Sequence, residues 1–172
     1  GVVLVYAREG RAIEDQRQHR GPDFELLAWT DGGSDARYIA VYRRPGGTVS
    51  SELLDALGDE LQVTPNPVVL GDLNMNMRAL YPQPRQLHTL LRQHHLQQHV
   101  HFVTRPVSGT TIDHTWTDFP QVYCSAVPAL DPVAVGDHRP VPTPAATATA
   151  HPPPRRPIRR PCPCRYAARA VL

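Results

Sequence analysis

The sequence predicts an α/β domain built on a mixed sheet. Short runs of β-branched and aromatic residues alternate with two leucine patterns at helical spacing. The resulting order is three strands, a helix, a strand, a helix and three further strands. At 172 residues the chain has room for one domain, and its 19 prolines crowd after residue 128. We therefore expect the C-terminal part to differ physically from the rest.

Three strands are predicted in the first quarter of the chain. Residues 2–6 form a β-branched run that is too short and too charged at its end to be a signal peptide. Residues 24–30 form a second run, which ends at an Asp-Gly-Gly turn signal, and residues 38–42 form a third, which ends at prolines and glycines. The polar stretch 8–21 is predicted to be a connection.

Two amphipathic helices and a central strand follow. In the first helix, which Thr48 or Ser50 can cap, the apolar positions lie on one face: Leu53, Leu54, Leu57 and Leu61. The second helix is predicted over residues 85–96, with Pro84 at its start and a leucine stripe on its inner side. The continuous apolar run 68–70 between them predicts a buried strand at the centre of the sheet.

The last part of the fold is predicted to contain strands at 110–116 and 121–127, a turn at Phe119-Pro120, and a short strand at 139–141. From residue 143 the sequence turns to Ala/Thr/Pro and then to Pro/Arg. Such a composition has too little bulky apolar surface to bury. We therefore expect one folded domain over residues 1–142 and a disordered tail over residues 143–172. The tail's arginines lack interleaved aromatics that would stack bases.

Composition excludes several classes of protein. The formal net charge is only +2, so no strong basic field attracts nucleic acid over the whole surface. Three cysteines cannot form a closed set of disulfides, which favours a reducing compartment. No apolar run approaches the length of a membrane span. We therefore expect a nuclear or cytoplasmic protein that is neither secreted nor membrane-bound.

Three short polar islands carry the candidate chemistry. Asp72 and Asn74 follow the central strand, Asp113 lies in a later strand, and Asp137 and His138 follow an apolar run. Side chains at strand ends can converge although they are distant in sequence. Carboxylates bind a hard divalent cation and orient water, and an imidazole can face a phosphate. Each island alone is also typical of an ordinary polar turn, but together they predict metal-assisted hydrolysis of a phosphodiester.

Strand alternation separates the two polar residues of the middle island. Asp113 and His114 must lie on opposite faces, so only one of them can face the site. We assign Asp113 to it and give His114 a structural or solvent-facing role, since a buried carboxylate needs a partner. Tyr42 ends the third strand, where its phenol can donate to a phosphate oxygen. An amphipathic tyrosine at a sheet edge explains Tyr42 equally well.

A histidine cluster raises the question of zinc. Its members are His88, His94, His95, His99 and His101. His95 and His99 are four positions apart, a spacing at which two imidazoles on a helix can share a metal ion. No glutamate lies between them, as the metalloprotease motif requires, and the helix is predicted to end near Leu96. We therefore interpret the cluster as a solvated polar face.

Four segments resemble a known family. They are Tyr38–Pro45, Leu70–Asn74, Thr111–His114 and Gly136–Val141. Through them, residues 1–142 resemble the endonuclease/exonuclease/phosphatase superfamily, and most of all the endonuclease domains of non-LTR retrotransposons. The resemblance implies a partial DNase-I-like α/β sandwich, a Mg²⁺ or Mn²⁺ ion, and DNA contacted through its phosphate backbone. It also implies a parent polyprotein with a downstream reverse transcriptase domain.

The resemblance implies four catalytic residues. Asp72 would orient and activate the attacking water, and Asn74 would hold Asp72 and the phosphate in register. Asp113 would pair with His138 and fix its tautomer. His138 would hydrogen-bond the phosphate oxygen as negative charge develops.

Three further residues complete the implied site. Asp137 would help to hold the metal ion, Tyr42 would contact the phosphate, and Thr104 would lie near the substrate strand. Where the family usually has serine before the last Asp-His, this chain has Gly136, which removes a possible hydrogen-bond donor.

The resemblance also implies strands N-terminal to Gly1, which carry an asparagine and a metal-binding glutamate; Glu9 lies too late to replace it. We expect the sandwich to be incomplete at that end, with weaker metal binding and impaired activity. Three functions are compatible: a retrotransposon-type DNA endonuclease, a non-catalytic remnant that binds nucleic acid or protein, and a small-molecule or lipid phosphatase of the same fold. The Tyr-Arg-Arg-Pro-Gly-Gly stretch favours the first.

Overall fold

The computed structural model describes residues 3–34, 36–46, 48–62, 66–80, 84–118 and 137–141. Within these ranges the chain forms six strands and two helices. In chain order they are β1 (Ile13–Arg20), β2 (Phe24–Asp31), β3 (Ala36–Arg43), α1 (Ser51–Gln62), β4 (Pro67–Asp72), α2 (Arg85–Gln93), β5 (Gln97–Gln98) and β6 (Asp113–Thr117). No described helix is long and apolar enough to cross a membrane.

The strands form a single mixed sheet in the order β1-β2-β3-β4-β6-β5. The first three strands form an antiparallel meander. Helix α1 then carries the chain across so that β4 runs parallel to β3. The sheet is completed by β6, which is antiparallel to both β4 and β5. The α/β class with a mixed sheet, predicted from the sequence, is therefore confirmed.

The two helices share one hydrophobic core with one face of the sheet. Their leucines pack with alternate residues of the central strands, and the members with no exposed surface include Leu26, Ile39, Leu53, Leu57, Val69, Leu73, Leu87 and Leu91. Each buried leucine, isoleucine or valine contributes roughly 1.5–3 kcal/mol. Since this set occupies one face, the alternate residues of β3, β4 and β6 point to the opposite face, where the polar islands lie.

Both helix predictions hold, with one boundary corrected. Ser50 caps α1, because its hydroxyl accepts a hydrogen bond from the Leu53 N–H at 3.3 Å. The second helix begins at Arg85 as predicted but ends at Gln93 instead of residue 96. His95 has a φ of +62°, which breaks the helix one turn early. The predicted inward position of Leu96 is nevertheless correct, since this residue is fully buried.

The strand predictions succeed at the centre of the sheet and fail at its margins. Residues 3–8 form no strand, whereas the predicted connection contains β1. The middle of β1 is exposed, so it shows no apolar alternation that a sequence could reveal. Residues 139–141 form no strand, and β6 begins only at Asp113. The predicted strand 121–127, the turn at 119–120 and the tail 143–172 lie outside the described residues.

Candidate active site

Two carboxylates stand side by side where β4 and β6 meet. Asp72, the last residue of β4, is the register partner of Asp113, the first residue of β6. Partners in an antiparallel pair have Cα atoms about 4.5–5.5 Å apart and point to the same face. Their neighbours Leu73 and His114 are buried on the other side of the backbone. The two acids therefore face away from the helices.

Gly71 brings this strand end close to β3. Its φ is +126°, and a Cβ built on it would lie 2.1 Å from the Val41 carbonyl oxygen. Only glycine fits such a contact. The parallel register between β3 and β4 ends at the pair Ala40 and Leu70. Because Gly71 still lies against Val41, Asp72 comes next to Tyr42 on the adjoining strand.

His138 joins the two carboxylates from a distant part of the chain. Its Nδ1 donates to Asp113, with distances of 2.9 Å to Oδ2 and 3.1 Å to Oδ1. Asp72, Asp113 and His138 each offer one ligand atom within 4.8 Å of the others. All three side chains are partly buried. The structure thus brings together one residue from each of the three polar islands.

Thr104 connects the segment that contains Asp113 with the segment that contains His138. Its hydroxyl oxygen accepts hydrogen bonds from the backbone N–H groups of Ile112 (3.0 Å) and Asp113 (3.1 Å). Its carbonyl oxygen accepts a hydrogen bond from the Arg139 N–H at 2.7 Å. Thr104 has no exposed surface, so its side chain faces the protein interior, and its predicted place near the substrate strand stays a prediction. Its hydrogen bonds position the backbones beside Asp113 and His138, which the sequence did not indicate.

Asn74 supports Asp72 through its backbone. The Asn74 N–H donates to Asp72 Oδ1 at 2.9 Å, while its side-chain amide donates to the Arg43 carbonyl at 2.7 Å. In return, the fully buried guanidinium of Arg43 donates to the carbonyls of Leu73 (2.8 Å) and Asn74 (3.0 Å). These bonds hold Asn74 at a φ of +46°, a conformation that asparagine tolerates better than most residues.

We left His114 either a structural or a solvent-facing role, and the structure gives it the structural one. Its ring is buried, with Nδ1 accepting from the Trp116 indole N–H at 3.0 Å. Nε2 must then carry the proton, which it donates to the Met75 carbonyl at 2.7 Å. Burial lowers the pKa of His114 to about 4, so the ring is neutral at physiological pH.

The two neighbouring carboxylates, Asp72 and Asp113, favour the binding of a cation between them. Burial raises the pKa of Asp72, and the neighbouring charge of Asp113 raises it further, against the opposing hydrogen bond from the Asn74 N–H. A cation between the two carboxylates would relieve this cost. Two carboxylates are a donor set that Mg²⁺ accepts in proteins, where substrate phosphates and water supply its other ligands. The residues present therefore fit a divalent cation.

Asp137 lies beside this group but outside it. Its Oδ2 accepts from Arg105 Nε at 2.6 Å, and its Oδ1 lies 3.7 Å from His138 Nε2. The hydrogen bond from Arg105 lowers the pKa of Asp137. Asp137 is thus already neutralised by a cation, and the predicted role as a metal ligand stays a prediction. Gly136 lies outside the described residues.

The histidine cluster is not uniformly solvated, which corrects our interpretation. His99 is buried, with Nε2 2.9 Å from the Thr117 hydroxyl, and His88 packs edge-on against Trp116 at 5.8 Å between ring centroids. His95 and His101 are exposed. Among the described residues, these histidines form no metal-binding group of three.

Several solved structures share the architecture of this chain. The 3′ phosphatase NExo from Neisseria, bound to a product DNA hairpin, superposes with a TM-score of 0.50 at 21% identity. The match covers 77% of this chain and 71% of NExo. The chain has a partial DNase-I-like α/β fold. In this fold Asp72 and Asp113 lie at the ends of two central strands, where the connecting loops begin and end.

Two other structures match the DNase-I-like fold of this chain at lower similarity. An endonuclease/exonuclease/phosphatase family protein from Leptotrichia buccalis gives a TM-score of 0.42 at 9% identity, covering 65% of this chain and 53% of that protein. The endonuclease domain of TRAS1, a telomere-specific non-LTR retrotransposon, gives 0.40 at 10% identity, covering 73% and 64%. No protein-family model and no curated protein matches the sequence.

Proposed function

We propose that this chain hydrolyses phosphodiester bonds in DNA as a divalent-metal-dependent endonuclease of the retrotransposon type. One observation carries the proposal: His138 is hydrogen-bonded to Asp113 at 2.9 Å directly beside Asp72, on the face of the sheet opposite the helices. The DNase-I-like fold supports hydrolysis in general, and the four segments that resemble retrotransposon endonucleases support DNA as the substrate. The same segments support a downstream reverse transcriptase domain, and the three cysteines favour nuclear or cytoplasmic action.

His138 is suited to stabilise the charge that develops on a phosphate. Asp113 accepts the hydrogen bond from Nδ1, which fixes the orientation of the ring and leaves Nε2 as the outward nitrogen. A protonated Nε2 can donate to a non-bridging oxygen as negative charge accumulates in the transition state, an interaction typically worth a factor of 10²–10³ in rate.

Asp72 is suited to direct a water molecule. The Asn74 N–H donates to Oδ1, which fixes the orientation of the carboxylate. Its raised pKa brings it nearer to neutral pH, where a general base is most effective. A Mg²⁺ or Mn²⁺ ion held by Asp72 and Asp113 would supply Lewis-acid neutralisation of the phosphate charge.

The test measures nicking of supercoiled plasmid, with and without Mg²⁺ or Mn²⁺, by the wild type and by His138→Ala. We expect the impaired, metal-dependent nicking predicted from the sequence, and a further fall of at least about 100-fold in the variant. His101→Ala is the matched control, because His101 is exposed and belongs to a different part of the surface. Circular dichroism would verify that each variant folds.

The outcomes separate the three candidate functions. Wild-type chain that binds DNA without nicking it would show a non-catalytic remnant, and equal activity of His138→Ala would overturn the assigned role of the imidazole. A 3′-phosphorylated oligonucleotide belongs in the same assay, because NExo is described as a 3′ phosphatase. Release of phosphate from that end without internal cleavage would replace the endonuclease with a phosphatase.

A further inference from the structure

A cavity of about 290 Å³ lies at the end of the sheet where the parallel strands β3 and β4 both terminate. Its wall is formed by the β1–β2 turn and the adjoining ends of β1, β2 and β3, with Arg20, Phe24, Glu25, Tyr42 and Arg44 among its lining residues. We call it the arginine pocket, after Arg20 and Arg44.

The sheet register fixes where the arginine pocket lies. Glu25 is the register partner of Tyr42, and Gly71 lies against Val41, so that Asp72 follows next to Tyr42. Neighbouring strands are about 4.8 Å apart. The pocket therefore extends from β3, one strand away from Asp72, to β2, two strands away. Its distance from Asp72 is roughly 5–10 Å, which corresponds to about one to three nucleotides along a DNA strand.

One guanidinium and one phenol of the arginine pocket are available to a ligand. Arg44 is exposed, and neither its guanidinium nor the Tyr42 phenol has a hydrogen-bond partner among the residues that the structure describes. The backbone of Arg44 is fixed, because its N–H donates to the Asp23 carbonyl at 2.6 Å. The pocket thus offers a guanidinium and a phenol on a rigid strand end.

The two carboxylates in the wall are already engaged. Asp23 accepts hydrogen bonds from the hydroxyl (2.6 Å) and the N–H (3.2 Å) of Ser50, which ties it to the start of α1. Glu25 accepts from Arg20 (2.9 Å) and Gln18 (3.1 Å) and, on its other oxygen, from the Val3 N–H (2.8 Å). Each of these four carboxylate oxygens already accepts at least one hydrogen bond within the protein, and Arg20 is paired with Glu25, so Arg44 is the arginine of the pocket without a carboxylate partner among the described residues.

We propose that the arginine pocket binds a backbone phosphate of the DNA strand, adjacent to the phosphodiester held by Asp72, Asp113 and His138. This inference rests on the proposed function and extends it from one phosphate to two. The Arg44 guanidinium matches a phosphate in charge and geometry, and the Tyr42 phenol lies between the two positions. Contacts to two neighbouring phosphates would fix the register of the strand.

The test measures DNA binding in EDTA, so that hydrolysis plays no part. Affinity of a labelled duplex is followed against salt concentration for the wild type, Arg44→Ala and Arg44→Lys. Loss of one phosphate contact should reduce the slope of log K against log salt by about 0.9 in Arg44→Ala and leave it unchanged in Arg44→Lys. Arg92→Ala is the matched control, because Arg92 is an exposed arginine on α2, which covers the opposite face.

The outcomes separate this inference from the proposed function. Equal slopes for Arg44→Ala and Arg92→Ala, with His138-dependent nicking intact, would overturn the phosphate contact and leave the endonuclease standing. A reduced slope for Arg44→Ala without any nicking would support the contact and refute the hydrolase. A parallel titration with a nucleoside monophosphate distinguishes the source of the phosphate. If Arg44→Ala weakened only that binding, the assignment to a DNA backbone would be wrong.

Discussion

Replacing Thr104 with valine tests whether one buried hydroxyl holds the active site together. The substitution keeps the shape of the side chain but leaves the N–H groups of Ile112 and Asp113 without their acceptor, at a position with no exposed surface. A buried unsatisfied donor costs about 1–3 kcal/mol. Because both donors share one oxygen, we expect a loss of about 2–4 kcal/mol, a large part of the 5–15 kcal/mol typical of a domain.

Urea unfolding of the wild type, Thr104→Val and Thr104→Ser would measure this loss. Serine retains the hydroxyl and removes one methyl group, so it should cost only about 1 kcal/mol. Nicking should also fall in Thr104→Val, because displacement of Asp113 by about 1 Å can cost 10²-fold in rate. The reasoning fails if Thr104→Val lies within about 0.5 kcal/mol of the wild type, or if serine costs as much as valine.

Three further substitutions probe the frame of the site. Gly71→Ala forces a Cβ to 2.1 Å from the Val41 carbonyl, so urea unfolding should show a loss of roughly 2–5 kcal/mol; Gly109→Ala, which also has a positive φ but meets open space, should cost about 1 kcal/mol. The pKa of His114 is lowered to about 4, so the unfolded chain binds more protons than the folded one at mildly acidic pH. Unfolding free energy should therefore fall by about 2 kcal/mol from about pH 7.5 to pH 5, and His114→Gln should flatten that dependence; an unchanged slope in the variant would contradict this. Arg43→Lys should lower nicking and stability together, since an ammonium cannot reproduce the guanidinium's bonds to the two carbonyls that follow β4, and equal activity would show that those bonds are dispensable.

The parts of the fold that the sequence predicted correctly are those with a buried face. Strands β2, β3 and β4 and both helices show apolar spacing because one side of each packs in the core. Strand β1 was missed because its residues are mostly exposed and show no apolar alternation, although it pairs with β2 along its length. Residues 3–6 were mistaken for a strand because an apolar run cannot show what it pairs with. In the structure, the Val3 N–H donates to the Glu25 carboxylate and not to a neighbouring strand.

The convergence of the polar islands was predictable, whereas their supports were not. Asp72 and Asp113 end neighbouring strands, which places them together once the sheet forms. Thr104 acts through hydrogen bonds to backbone groups of two other segments, and no local pattern encodes such contacts. Arg43 did carry a signal, because strand alternation puts it on the same face as the buried residues Ile39 and Val41.

Arg43 is a buried cation that interacts with the acidic site from a distance. Its guanidinium is fully buried, and its hydrogen bonds go to carbonyl oxygens, so no direct partner neutralises its charge among the described residues. Burial lowers the pKa of Arg43, while Asp23 and Asp72 raise it from a distance. The attraction is mutual, so the buried guanidinium favours the ionised form of Asp72. Because Arg43 donates its hydrogen bonds to backbone carbonyls, it acts on Asp72 through charge alone and occupies neither of its carboxylate oxygens.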